Sequence, residues 1–237
     1  MRRSTKPSSH RQFVAIIADI VGSRELPAAR RKIVQRSLLN ILTRLNNQYR
    51  TALAAKFKMT SGDEFESLLR IEHAGKTIPD IVWTLETRFA EPALRIGIGL
   101  GSVDTDLSED ASALDGPAFH HARTAVSQAA ANKQLGGVFS GFGDEADPIL
   151  NGIARLLRYQ RSRWSEQQRN VAIQLRQGKL QTAAAAELGL TKQAVSAYAR
   201  AAGWEAHVEG EAAWQTAIRQ AIQAATHSKI RSSEEPV

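Results

Sequence analysis

Residues 13–24 read FVAIIADIVGSR, and this stretch decides how the chain folds. Its first six residues, Phe13 to Ala18, are apolar and largely β-branched, as in a buried strand. Asp19 ends that run. Pro27 then opens a long helical stretch, in which Ile33, Val34, Leu38, Ile41, Leu42 and Leu45 recur on one face. Ala52 to Met59 and Phe65 to Ile71 read as two strands joined by the turn Ser61-Gly62-Asp63. Ile78 to Phe89 follows as a second amphipathic helix. Leu94 to Val103 (LRIGIGLGSV) alternates apolar residues with Gly, the pattern of a strand whose backbone something approaches closely. The order β-α-β-β-α-β predicts an α+β, ferredoxin-like domain. A helix over 117–131, a strand near 138–142 and a helix over 148–159 are expected after it.

The whole chain has 237 residues and no cysteine, which excludes disulfides, thiolate nucleophiles and Cys-ligated metal centres. No run approaches the length of a membrane span. The apolar run after the basic N-terminus is too short for a signal peptide, so a cytoplasmic location is expected. The net charge of +7 is unevenly placed. Residues 1–12 carry four Lys/Arg and no acid, and read as a disordered basic tail. Residues 13–155 carry 16 basic and 17 acidic side chains, whereas 156–204 carry eight and two. The large N-terminal body is thus near neutral, and the excess lies in a tail and a C-terminal segment.

That segment has its own pattern. Gln181 to Arg200 reads QTAAAAELGLTKQAVSAYAR. A helix-turn-helix needs a small residue where its helices cross, a Gly four residues later and an apolar residue six further on. Ala185, Gly189 and Val195 stand at those places, with Gly189 as C-cap and Thr191 as the next N-cap. The second helix would enter the major groove of duplex DNA and present Thr191, Lys192, Gln193, Ser196 and Arg200. Trp204 and Trp214 are expected to pack a following helix. The expected boundaries are 13–157 for the first domain, 164–226 for the all-α helix-turn-helix domain, and 227–237 for a second tail.

Two carboxylates occupy suggestive places: Asp19 at the end of the first strand and Asp63 at the tip of the hairpin. Hairpin strands that flank the first strand would let them converge and hold Mg²⁺ together with a phosphate ligand. Gly22 and the backbone amides of Ile20 to Ser23 are expected to be free for phosphate oxygens. Glu64 and Glu66 read as solvated charges, and Arg95 as a surface residue of its strand.

ADIVGSR, SGDEF and RIGIGLGSV, in this order, resemble the palm of class III nucleotidyl cyclases over roughly residues 13–140. With DGPAFHHAR (Asp115 to Arg123) and the C-terminal helices added, the whole chain is similar to the SatD family of bacterial proteins. The cyclase resemblance implies metal-binding roles for Asp19 and Asp63, and ligand contacts for Gly22, Ser23, Arg24 and Arg123. Met59 stands where cyclases carry a base-reading Lys, with Lys58 beside it, and Phe119 where they carry an Asn. His120 and His121 are adjacent on a helix and cannot both face one site.

The expected function is a DNA-binding transcription regulator whose palm binds a nucleotide or phosphate ligand with Mg²⁺. It would act as a homodimer, because one short helix-turn-helix rarely supplies enough affinity. The alternatives are an active nucleotidyl cyclase or transferase regulated by its C-terminal unit, and a ligand-free palm serving as a dimerisation scaffold.

Overall fold

A computed structural model describes residues 11–89 and 92–234, with the backbone alone over 228–234. Its five-stranded sheet is built from β1 (Phe13–Ile20), β2 (Leu53–Ser61), β3 (Glu64–Arg70), β4 (Leu94–Gly101) and β5 (Gly136–Ser140). The strand order is β2-β3-β1-β4-β5. β1 pairs antiparallel with both β3 and β4, β2 pairs antiparallel with β3, and β5 joins β4 in parallel. Helices α1 (Ala28–Gln48), α2 (Ile71–Arg88) and α3 (Pro117–Ala131) connect the strands.

β1 is central and covered on both faces, which is why its sequence is a continuous apolar run rather than an alternating one. The row Val14-Ile16-Ala18 is fully buried on the side of α1 and α2. The row Phe13-Ala15-Ile17 packs on the other face with Leu68, Ala118, Phe119 and Ala122.

The glycines of β4 explain how α3 lies on that second face. A methyl group at Gly97 would come 2.1 Å from the Ala122 carbonyl oxygen, and at Gly99 2.2 Å from that of Ala118. At Gly101 it would meet the Ala118 amide at 2.5 Å. Alternate Gly on the strand and Ala every fourth residue on the helix thus let two backbones touch. The close approach foreseen for this strand is made by α3.

Two local readings change. α2 starts at Ile71 rather than Ile78 and carries Pro79 inside it. Pro79 lacks an N–H, but Gly75, four residues earlier, is the least obstructive partner for its ring. α8 (Trp204–Glu234) keeps helical backbone through most of the segment expected as a C-terminal tail, since no Gly or Pro interrupts residues 211–234. Of the expected basic tail, only Arg11 and Gln12 fall within the described residues. Arg11 lies over the Phe13 ring at 5.3 Å, and Gln12 is buried.

Contacts divide the chain into two compact units: residues up to Asn151 with Gln215 onward, and Gly152–Trp214. The boundary near 157–164 expected from sequence falls late, because α4 (Ala146–Ser162) runs unbroken through the junction. The second unit contains α5 (Glu166–Arg176), α6 (Gln181–Leu188) and α7 (Lys192–Ala201). A capping box between Ser165 and Gln168 starts α5. Val171, Ala184, Ala185, Val195 and Ala199 form the core, closed by Leu175, Leu188 and Tyr198. Beside it His207, wholly buried, stacks on Trp204 at 5.8 Å and meets Trp164 edge-on at 5.0 Å. Glu211 lies 3.6 Å from His207 Nε2 and is also paired with Arg176.

Candidate functional site

The apolar row of β1 ends in a charge. After Phe13, Ala15 and Ile17, the next side chain on the same face is Asp19, aligned with Glu64 on β3 and Arg95 on β4. Arg95 Nη1 donates to Asp19 Oδ2 at 2.8 Å, and each side chain is about one-quarter exposed. Arg95 is therefore a partner of the candidate site, not the surface residue its sequence position suggested. Asp19 Oδ1 is buried and accepts no hydrogen bond. Burial pushes the Asp19 carboxyl above its ordinary range, Arg95 opposes that rise, and the charge of Asp63 adds to it.

Asp63 reaches this end because the hairpin is tied down at three points. The Ile20 amide donates to the Asp63 carbonyl at 3.0 Å, Ser23 Oγ donates to Asp63 Oδ2, and the Gln35 amide donates to the Gly62 carbonyl. Asp63 thus lies near enough to Asp19 for its charge to act on that carboxyl. The loop amides differ from expectation: Ile20 N–H and Val21 N–H are already donated, the latter to the Ala93 carbonyl at 2.9 Å. They close the sheet end instead of facing a phosphate. Gly22, at φ +66°, adopts the left-handed turn that lets Ser23 point back to the hairpin.

A cavity of about 220 Å³ adjoins this turn, lined by Ser23, Arg24, Arg31, Gln35, Gly62 and Asp63. Arg31 and Gln35 had no signal in the sequence, because the helical period shows which face of α1 is buried but not which turn meets the hairpin. Arg31 Nη2 donates to the carbonyls of Arg24 and Leu26 at 3.0 and 3.1 Å, clamping the loop to α1.

Arg123 stands elsewhere. Its guanidinium lies 3.8 Å from Glu66 and 3.9 Å from Asp115. Glu66, read as solvated, is only 3% exposed, and its carboxyl is pushed up to about 6 by burial, against the pull of Arg123. Alternation alone would have placed it on the covered face, two residues before Leu68. Lys58, opposite Glu66, pairs with Asp110. The two His residues diverge: His120 meets Asp115 at 3.2 Å, and His121 Nδ1 lies 2.7 Å from the Leu100 carbonyl.

Among the described residues, no group of three or more His, Asp or Glu side chains could hold a metal ion. Magnesium asks less of a protein, since one or two carboxylates suffice when phosphate and water complete the shell. Asp19 and Asp63 fit that smaller role, and the orphaned Asp19 Oδ1 is the oxygen a cation would satisfy.

In the second unit, Gly189 takes φ +64° as the α6 C-cap, and Thr191 caps α7 by accepting from the Ala194 amide at 3.1 Å. Val195 and Ala199 face the core, while Thr191, Lys192, Gln193 and Arg200 are exposed and Ser196 half-buried.

These observations define an α+β protein with a carboxylate pair at one sheet end and a compact helical unit. The sequence matches the SatD family over residues 13–198, and the chain belongs to that family. No curated protein matches it. Among solved structures it is similar to a bacterial light-regulated adenylyl cyclase, with 18% identity and a TM-score of 0.39 over 51% of this chain and 71% of that one. A second structure of a bacterial light-regulated adenylyl cyclase aligns at 18% identity and a TM-score of 0.40, covering 53% of this chain and 42% of that one. Among the described residues, no helix is long and apolar enough to cross a membrane.

Proposed function

We propose that the protein is a cytoplasmic DNA-binding regulator, with α6 and α7 as a helix-turn-helix and the sheet end as a phosphate-ligand site. The observation that carries this reading is the geometry of α7. Its two buried positions, Val195 and Ala199, fasten it to α5 and α6, which leaves Lys192, Gln193 and Arg200 on the exposed side. A capped helix with that division presents its first turn to base edges and its cations to phosphate.

The sheet end supports a ligand role through Asp19 and Asp63, with Ser23, Gly22 and Arg24 beside them. A 220 Å³ cavity suits the phosphate end of a nucleotide rather than the whole molecule. When bound, Mg²⁺ would neutralise phosphate charge there. Asp19 and Asp63 would hold it, Ser23 would keep Asp63 oriented, and Arg24 and Arg31 would attract the anion. Arg123, held by Glu66 and Asp115, would join only by exchanging those partners. Ligand occupancy would shift DNA affinity through differential binding to two states of a homodimer.

The test is a gel shift on DNA fragments selected by the protein. The Lys192→Ala/Arg200→Ala pair is expected to weaken binding at least tenfold; an unchanged shift rejects the helix-turn-helix. For the palm, a thermal-shift screen of nucleotides with and without Mg²⁺ should show a rise that Asp63→Ala abolishes.

A further inference from the structure

A near-neutral count for residues 13–155 conceals a strongly polarised helix. From residue 26 to 62 there are eight Lys/Arg and no Asp or Glu. Three of these cations are engaged: Arg31 on loop carbonyls, Lys56 with Glu109 and Lys58 with Asp110. Arg30, Lys32, Arg36 and Arg44 all lie on α1, are exposed, and make no ion pair or hydrogen bond among the described residues.

This arrangement costs the folded chain something and gives nothing back within it. Arg30, Arg31 and Lys32 crowd the first turns of α1, where the helix dipole is positive and no acidic residue compensates. Lys32 and Arg36 are four apart, the spacing at which like charges repel. A solubilising surface would interleave signs, whereas a polyanion would turn each of these penalties into attraction.

The rest of the outward face narrows the kind of polyanion. Asn40 and Asn47 stand between and beyond the cations, and their amides donate to phosphate and sugar oxygens. Ile33 and Leu39 are the exposed large apolar residues of α1, and at the helical period they point about 120° apart with Lys32, Arg36 and Asn40 between them, so no continuous apolar stripe faces a lipid surface. From Lys32 to Arg44 the helix rises about 18 Å, a span of roughly five phosphates on one strand.

We propose that the outward face of α1, through Lys32, Arg36 and Arg44, is a second DNA-contacting surface that grips the sugar–phosphate backbone without reading sequence. This rests on the DNA-binding reading above and extends it. The region around the sheet thus supplies a share of affinity, and α7 supplies selection.

The test compares full-length proteins on a 30-base-pair duplex by fluorescence anisotropy across a salt series. Lys32→Gln/Arg36→Gln/Arg44→Gln is expected to lower the slope of log affinity against log salt by about 2 to 3, one counterion per lost contact. The charge-keeping set Lys32→Arg/Arg36→Lys/Arg44→Lys should retain the wild-type slope. All three positions are exposed, and a thermal midpoint no lower than that of the wild type confirms that the variants fold. A wild-type slope in the Gln triple overturns the proposal. So does a triple that binds duplex normally but loses binding to phosphatidylserine vesicles, which would assign the face to lipid. If Lys192→Ala/Arg200→Ala leaves binding intact while the α1 triple loses it, α7 fails as the reader and the α1 surface stands. No duplex binding by the wild type at low salt overturns both.

Discussion

Arg95 and Asp19 face each other across β4 and β1, with Arg95 Nη1 donating to Asp19 Oδ2 at 2.8 Å and most of both side chains out of solvent. The pair occupies the last rung of an otherwise apolar row, so neither charge can be removed cheaply. Replacing Arg95 by Met would leave an unpaired, largely buried carboxylate. It should lower stability by about 1–3 kcal/mol in urea unfolding. The double variant Arg95→Met/Asp19→Asn should recover part of that loss, because both charges are then gone. Equal losses in the single and double variants would show that the pair contributes nothing through its charge.

Glu66 gives a pH dependence with a definite sign. Its folded pKa of about 6 lies above the ordinary 4.5. The folded state therefore holds its proton more tightly than the unfolded chain. The associated stability is complete below pH 4.5 and is lost as pH rises through 6. A rise of about 1.5 units corresponds to roughly 2 kcal/mol at neutral pH. Glu66→Gln keeps the shape without the charge. Its stability advantage over the wild type should grow between pH 4.5 and 6.5 and then level off. A difference that stays constant across that range would show that Glu66 is not the titrating group.

The glycine row of β4 predicts a steep contrast. Gly99→Ala places a methyl group 2.2 Å from the Ala118 carbonyl, where only backbone can yield. A loss above about 3 kcal/mol, or failure to fold, is expected, as for severe overpacking. Gly152→Ala, in α4 with nothing within 4 Å, should instead stabilise by about 0.5–1 kcal/mol. Thermal melts of the two variants separate these outcomes.

His207 predicts acid sensitivity in the helical unit. Burial lowers its pKa below 6.5 despite the nearby Glu211 carboxylate. Folding therefore favours the neutral ring. The stability it brings is present above pH 6.5 and is lost as pH falls through the depressed value. Trp164 and Trp204 lie against the ring, so near-ultraviolet circular dichroism between pH 7 and 4 should report a loosening. His207→Gln should flatten that transition; an unchanged profile assigns it to another group.

The Lys192→Ala/Arg200→Ala pair tests the α7 assignment separately, through DNA affinity rather than stability. Its effect should shrink as salt rises, since the contacts removed are charge contacts.

Elements whose signal is local could be read directly from the chain. The apolar run from Phe13, the period of α1, the Ser61-Gly62-Asp63 turn and the Gly189 cap after α6 each depend on neighbours within a few residues, and each marks its own element. The alternating glycines of β4 announced a close approach, and the order of elements brought Asp19 and Asp63 to one end. Partnership was a different matter. Arg95 met Asp19 from 76 positions away, Glu66 was buried under α3, and Gln35 reached the hairpin and Arg31 the loop after β1 only because one turn of α1 passes them. A charged residue looks alike in sequence whether water or a guanidinium surrounds it, since its environment is set by strand register and helix placement. The basic face of α1 lay between the two cases: its composition was visible, but its exposure and lack of partners came from the packing.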